Sequence, residues 1–172
     1  LCGTMSVGKT TLVNALKELE QFKGYKFATE RSQHLMSLGI PLNTDSTLKG
    51  QTVFLAERCG ELMYDNIITD RTILDVMAFT MNAKSIPYQD KEAFEQYASE
   101  FVREYDYIFY ISPHGLEIED NGVRETDEHY RDLIDFTITT LIKRHGHKAG
   151  KIEKISGSTE ERIQQILNVT RL

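Results

Sequence analysis

The feature that most restricts this chain stands at its start, in GTMSVGKTT: Gly3, four intervening residues, then Gly8, Lys9, Thr10 and Thr11. Leu12, Leu16 and Leu19, with Val13 beside them, follow at helical spacing and predict a helix over residues 9–20. A glycine-framed loop that runs into a helix turns its amides inward and adds the positive end of the helix dipole, which together suit phosphate oxygens. In the pattern GxxxxGK[ST] the lysine bridges outer phosphates and the hydroxyl ligands Mg²⁺. Gly3, Thr4, Met5, Ser6, Val7, Gly8, Lys9, Thr10 and Thr11 are therefore the candidate nucleotide-binding residues, with Lys9 also catalytic and Thr10 also a metal ligand. Such a loop ordinarily follows a buried strand, and only Leu1 and Cys2 precede it, so the first strand is expected to be largely absent.

The remaining pattern alternates short apolar strands with helices. Residues 25–29 read as a strand, followed by a helical start near residue 31 that stops around Gly39 and Pro41. Thr52, Leu55, Ala56, Cys59, Leu62 and Met63 suggest an apolar stripe on a helix over residues 46–64. Residues 66–69 form a plausible buried strand that delivers Asp70 and Arg71 to its exit, and 73–82 a helix after it. Beyond Pro87, Phe94, Tyr97, Ala98, Phe101, Val102 and Tyr105 mark another helix, and YIFYI at 107–111 a central strand covered on both faces. A long polar loop spans 114–128, with a helix after it marked by Ile134, Ile138, Leu141 and Ile142. Residues 151–156 read as the last strand, and Ser158 with Glu161 forms a capping box for a final helix. This rhythm predicts an α/β fold, a mostly parallel sheet with helices on both faces, in one domain over residues 1–172.

Composition narrows the setting. The chain has 40% hydrophobic and 27% charged residues and no apolar run near the roughly 20 residues that a membrane span needs, so no membrane role is expected. Cys2 and Cys59 are too few for a disulfide framework and suit a reducing cytoplasm. A net charge of −6 disfavours non-specific binding to a polyanion, although residues 143–154 gather Lys143, Arg144, His145, His147, Lys148, Lys151 and Lys154. The five histidines show no metal-ligand spacing.

Other residues carry chemistry by type and position. Asp70 can hold a metal or accept a hydroxyl proton and Arg71 can clamp an anionic oxygen, the alternative being that Asp70 simply caps the next helix. Glu30, at the end of the 25–29 strand, is a candidate general base at the acceptor, or else a carboxylate favoured by a helix N-terminus. Arg124 and Arg131, in the segment GVRETDEHYR, are candidate catalytic arginines on a lid over about 114–130, with surface salt bridging as the alternative. Gly157 lies where a nucleotide base could rest against backbone, or where a strand merely turns into a helix.

With those residues assembled, the chain resembles the P-loop kinases of nucleosides and nucleotides, and within them the group similar to ribosylnicotinamide kinase and related phage enzymes. The resemblance rests on GTMSVGKTT, FATER, IITDRTILDVMAFT, NGVRETDEHYR and ISGSTEERI. It implies a three-layer fold with a five-stranded parallel sheet in the order 2-3-1-4-5 and transfer of the γ-phosphate of ATP, with Mg²⁺, to a hydroxyl or phosphate. Lys9 and Thr10 would serve ATP and Mg²⁺, Asp70 with Arg71 would match the acidic-Arg pair at the acceptor site, Glu30 the acidic residue after the second strand, and Arg124 and Arg131 the lid arginines. Relatives usually place an arginine three residues after the acidic residue matched by Glu30; here Gln33 stands there and Arg31 follows directly.

The acceptor expected is a small nucleoside or nucleotide, with a hydroxymethylated pyrimidine in DNA and a homodimeric assembly left open. A GTPase switch would need NKxD and DxxG, and neither occurs. An ATPase without an acceptor, or a nucleotide-binding module without catalysis, are the other classes. The thin strand and the arginine in NIITDR speak against the first, and intact Lys9 and Thr10 against the second.

Overall fold

The computed structural model describes residues 1–29, 32–116 and 127–172. Its strands come in two parallel pairs. β1 (Lys26–Ala28) lies beside β2 (Ile67–Thr69), and β3 (Tyr107–Ile111) beside β4 (Lys151–Ile155). Leu1 and Cys2 lie between the pairs: the Leu1 nitrogen donates to the Thr69 carbonyl at 2.7 Å, Cys2 N–H to the Phe109 carbonyl at 2.9 Å, and Ile111 N–H to the Cys2 carbonyl at 2.9 Å. Among the described residues there are thus four strands, with a two-residue segment between the pairs at the place where a largely absent first strand is expected.

Helices cover both faces because β3 is apolar on both. Ile108 and Tyr110 join a core with Ile73, Leu74 and Met77 of α4 (Ile73–Asn82), Phe94 and Ala98 of α5 (Tyr88–Ser99), and Ile134 and Ile138 of α6 (Glu128–His145). Phe109 and Ile111 face the other way, toward Leu12, Val13 and Leu16 of α1 (Lys9–Lys17) and Ile166 of α7 (Thr159–Thr170). Alternating strand residues thus serve opposite layers, as the YIFYI run requires.

Several boundaries differ from the sequence expectation, each for a local reason. α1 stops at Lys17 instead of 20, since Leu19 turns extended and a short 3₁₀ turn, Glu20–Phe22, buries Phe22 edge-on against Tyr25. The helix α2 is only Ser32–Ser37, and α3 runs Leu48–Glu61, inside the expected 46–64, because Thr47 caps it by accepting from Gly50 N–H at 3.1 Å. Its inward face also differs: Gln51, Leu55 and Arg58 are buried, while Thr52 and Ala56 are exposed and Met63 is 82% exposed. Leu55, Cys59 and Leu62 of the expected stripe do pack on the core, and Gln51 and Arg58 join them as buried polar side chains. The capping box of α7 forms as expected, Glu161 N–H donating to Ser158 Oγ and Ser158 N–H to Glu161 Oε2. No described helix is long and apolar enough to cross a membrane.

Candidate functional site

Residues 3–8 lead from the sheet into α1, and three backbone features shape them. Gly3 has φ 152° and lies so close to β3 that a Cβ would stand 2.6 Å from the Ile111 carbonyl oxygen; Gly8 starts α1 at φ 79°, and Ser6 takes φ 59°. Only glycine fits the first of these. Gly3→Ala should therefore cost about 3 kcal/mol or more of stability, read by urea denaturation, whereas alanine at Gly24, with open space around it, should cost far less.

Lys9, 6% exposed, folds back and donates from Nζ to the carbonyls of Gly3 and Thr4, each at 2.7 Å. Burial holds its ammonium pKa below the usual lysine value; the Arg71 charge pushes the same way, and Asp70 and Asp75 oppose them. Beside it, the Thr10 hydroxyl donates to Asp70 Oδ2. Loop and β2 exit are thereby brought together. Asp70 is 1% exposed, and its Oδ1 has no hydrogen-bond partner among the described residues. Helix α4 does not use Asp70 as its cap: Thr72 does that, donating from N and Oγ1 to Asp75 Oδ2 at 2.7 and 2.8 Å. The capping alternative raised by the sequence is thus replaced, and Asp70 faces Thr10.

Arg71 leaves the strand at φ 134°, a conformation rare for a side chain-bearing residue, with its carbonyl accepting from Thr69 Oγ1 at 2.8 Å. Its guanidinium lies 5.0 Å over the ring of Phe79. There it borders a small cleft, about 40 Å³, that Ser46, Gln51, Phe54 and Phe79 also line. Gln51 is 3% exposed, and Ser46 Oγ has no hydrogen-bond partner among the described residues. A larger cavity of about 200 Å³ lies away from the loop, among Leu16, Phe22, Ile67, Tyr107 and Ile166. Its largely apolar lining offers no comparable chemistry.

Arg131, in the first turn of α6, donates from Nη1 to the Leu116 carbonyl at 2.7 Å, while its own carbonyl accepts from Thr4 Oγ1 at 3.3 Å. It therefore stands against the phosphate-type loop. Gly157, at φ 93°, begins the turn into α7, where a Cβ would collide with the Glu161 carboxylate of the capping box; the strand-to-helix turn accounts for this glycine. Glu30 and Arg124 lie outside the described residues.

Two further residues touch the loop without having been singled out by the sequence. Asp75 Oδ1 accepts from Gly3 N–H at 3.0 Å, and Arg162 of α7, 7% exposed, donates from Nη1 to the Val7 carbonyl at 2.7 Å. Asp75 completes a local T-x-x-D capping box with Thr72, but that motif does not announce the contact to Gly3; the loop partners of Asp75 and Arg162 lie 72 and 155 positions away.

The fold and the loop define a P-loop α/β protein. The chain belongs to a family of AAA domains (AAA_28), whose sequence profile matches residues 1–162. Among solved structures it is similar to a deoxyadenosine kinase from M. mycoides with bound dCTP, at a TM-score of 0.68 and 18% identity, covering 99% of this chain and 96% of that one. A second structure of that enzyme, with the products dCMP and a flexible dCDP bound, gives a TM-score of 0.66 and 18% identity, covering 98% and 96%. No curated protein matches significantly.

Proposed function

We propose that this chain is an ATP-dependent kinase that transfers the γ-phosphate to a small nucleoside or nucleotide. The observation that carries the reading is the cleft formed by Gln51, Phe54 and Phe79, which opens at Arg71, one residue from the carboxylate that Thr10 touches. Hydrolysis alone needs no such cleft; transfer needs an acceptor pocket beside the phosphates. A carboxamide and two aromatic rings lining one cleft suit a flat base with hydrogen-bonding edges. The likeness to a deoxyadenosine kinase fold supports the same reading.

In this scheme the loop amides and the N-terminus of α1 hold the phosphates, and Lys9 leaves its two carbonyl partners for the outer phosphate oxygens. Thr10 Oγ1 and the Asp70 carboxylate, whose buried Oδ1 lacks a partner among the described residues, form an oxygen donor set that fits Mg²⁺. An ion held there would supply positive charge against the phosphates. Because Asp70 faces Thr10, the hydroxyl proton of the acceptor falls to Glu30, with Arg71 orienting the acceptor's oxygens. Arg131 and Arg124 stabilise charge on the transferred group and help exclude water.

The test is a panel of labelled-ATP incubations with nucleosides, nucleoside monophosphates, nicotinamide riboside, and plain or hydroxymethylated DNA. Label is expected in a nucleoside or monophosphate. Label in none of them contradicts the proposal, and label only in DNA replaces the acceptor class. With the acceptor found, Arg131→Ala should lower kcat about tenfold to a hundredfold with KM for ATP within about threefold. A change in KM alone would reduce Arg131 to a binding contact.

A further inference from the structure

Asp75 is fully buried in the first turn of α4, and its carboxylate accepts from three donors. Oδ2 takes Thr72 N–H and Thr72 Oγ1, while Oδ1 reaches across to Gly3 N–H at 3.0 Å. The bond to Gly3 is not needed to cap a helix. It ties the first residue of the phosphate-binding loop to the junction that carries Asp70 and Arg71. Gly3 is thereby gripped from two sides, its N–H by Asp75 and its carbonyl by Lys9, while Ile111 closes the third.

A buried negative charge beside an anion-binding loop is electrostatically unfavourable for phosphate, so its presence calls for compensating roles, of which favouring the Lys9 ammonium is one. Holding geometry is such a role, since a carboxylate can accept on both oxygens at once and a neutral amide cannot. The grip also extends along α4: Ile73 N–H donates to the buried Tyr105 hydroxyl at 3.1 Å, which anchors the same helix end to the segment before β3.

We propose that Asp75 is a positioning residue that locks the start of the phosphate-binding loop to the β2–α4 junction, so that nucleotide and acceptor are held in one frame. The acceptor half rests on the kinase reading; the nucleotide half does not.

Asp75→Asn and Thr72→Val separate this from plain helix capping. If the oxygen of the introduced carboxamide keeps the Thr72 bonds, its NH₂ group faces Gly3 N–H, donor against donor, and that link is lost. Thr72→Val removes a hydroxyl from the cap and leaves the Gly3 link intact. By calorimetric titration with ATP, Asp75→Asn should raise Kd about tenfold or more, while Thr72→Val, with a similar or larger fall in Tm, stays within about twofold of wild type. Equal weakening in both variants, an Asp75→Asn Kd within about twofold, or tighter binding from relief of charge repulsion would each overturn the proposal. Should Asp75→Asn fail to fold, Asp75→Glu, which displaces the carboxylate by one methylene, is titrated against the same thresholds. The readout is ATP binding, so a wild type that phosphorylates no acceptor defeats the kinase reading and leaves this test legible.

Discussion

Replacing Lys9 by methionine should lower phosphoryl transfer about a hundredfold to a thousandfold while the chain still folds. The side chain is nearly as long and fills the same buried space, but the charge proposed to meet the outer phosphates is gone. Stability should move far less, because two opposing terms change together. The carbonyls of Gly3 and Thr4 lose their donor, and the desolvation cost of a buried ammonium disappears. Initial rates and thermal melts of the two proteins check both halves. A pH series adds a sign. Because burial lowers the folded-state pKa of Lys9, the unfolded chain binds that proton more tightly, so wild-type stability should rise with pH in the window just below the ordinary value of 10.5. Lys9→Met should remove that rise. Undiminished transfer in the variant would remove the loop from the reaction.

Asp70→Asn should likewise lower turnover about a hundredfold while the empty protein keeps or gains stability. Asp70 is buried with one oxygen taken by Thr10 and the other without a partner among the described residues. A carboxylate oxygen without a hydrogen bond in the interior costs free energy that a neutral amide of the same shape reduces; the lost attraction to the Lys9 ammonium offsets part of that, so the net gain is at most about 1 kcal/mol. The same substitution removes the anionic ligand from the proposed Mg²⁺ donor set and leaves Thr10 with an amide. Urea denaturation of the empty protein and rates at saturating Mg²⁺ separate the effects. A variant that is destabilised by several kcal/mol yet turns over normally would make Asp70 a structural residue.

What was legible in the sequence was local. The glycine loop and the helix after it, the strand that ends at Asp70, the two-faced YIFYI strand and the Ser158–Glu161 box all depend on neighbours within a few positions, and each stands where it was expected. What escaped was long-range. Asp75 reads as one polar residue in an apolar helix, and only the fold brings Gly3 to it; Arg162 looks like any charged residue of a surface helix until α7 packs beside α1. In α3 the apolar spacing suggested an ordinary core stripe, whereas the buried face also carries Gln51, which borders the cleft, and Arg58, which is paired with Glu61 at 2.6 Å. Glu30 and Arg124 lie outside the described residues, so the proposed general base and one proposed lid arginine rest on the sequence alone.

The proposed reaction is tested most directly by counting its products. With ATP, Mg²⁺ and the acceptor found in the panel, a kinase releases one ADP for each phosphorylated acceptor, and ADP release falls nearly to zero when the acceptor is left out. Steady ADP and free phosphate release that no acceptor alters would contradict transfer and make the chain a hydrolase.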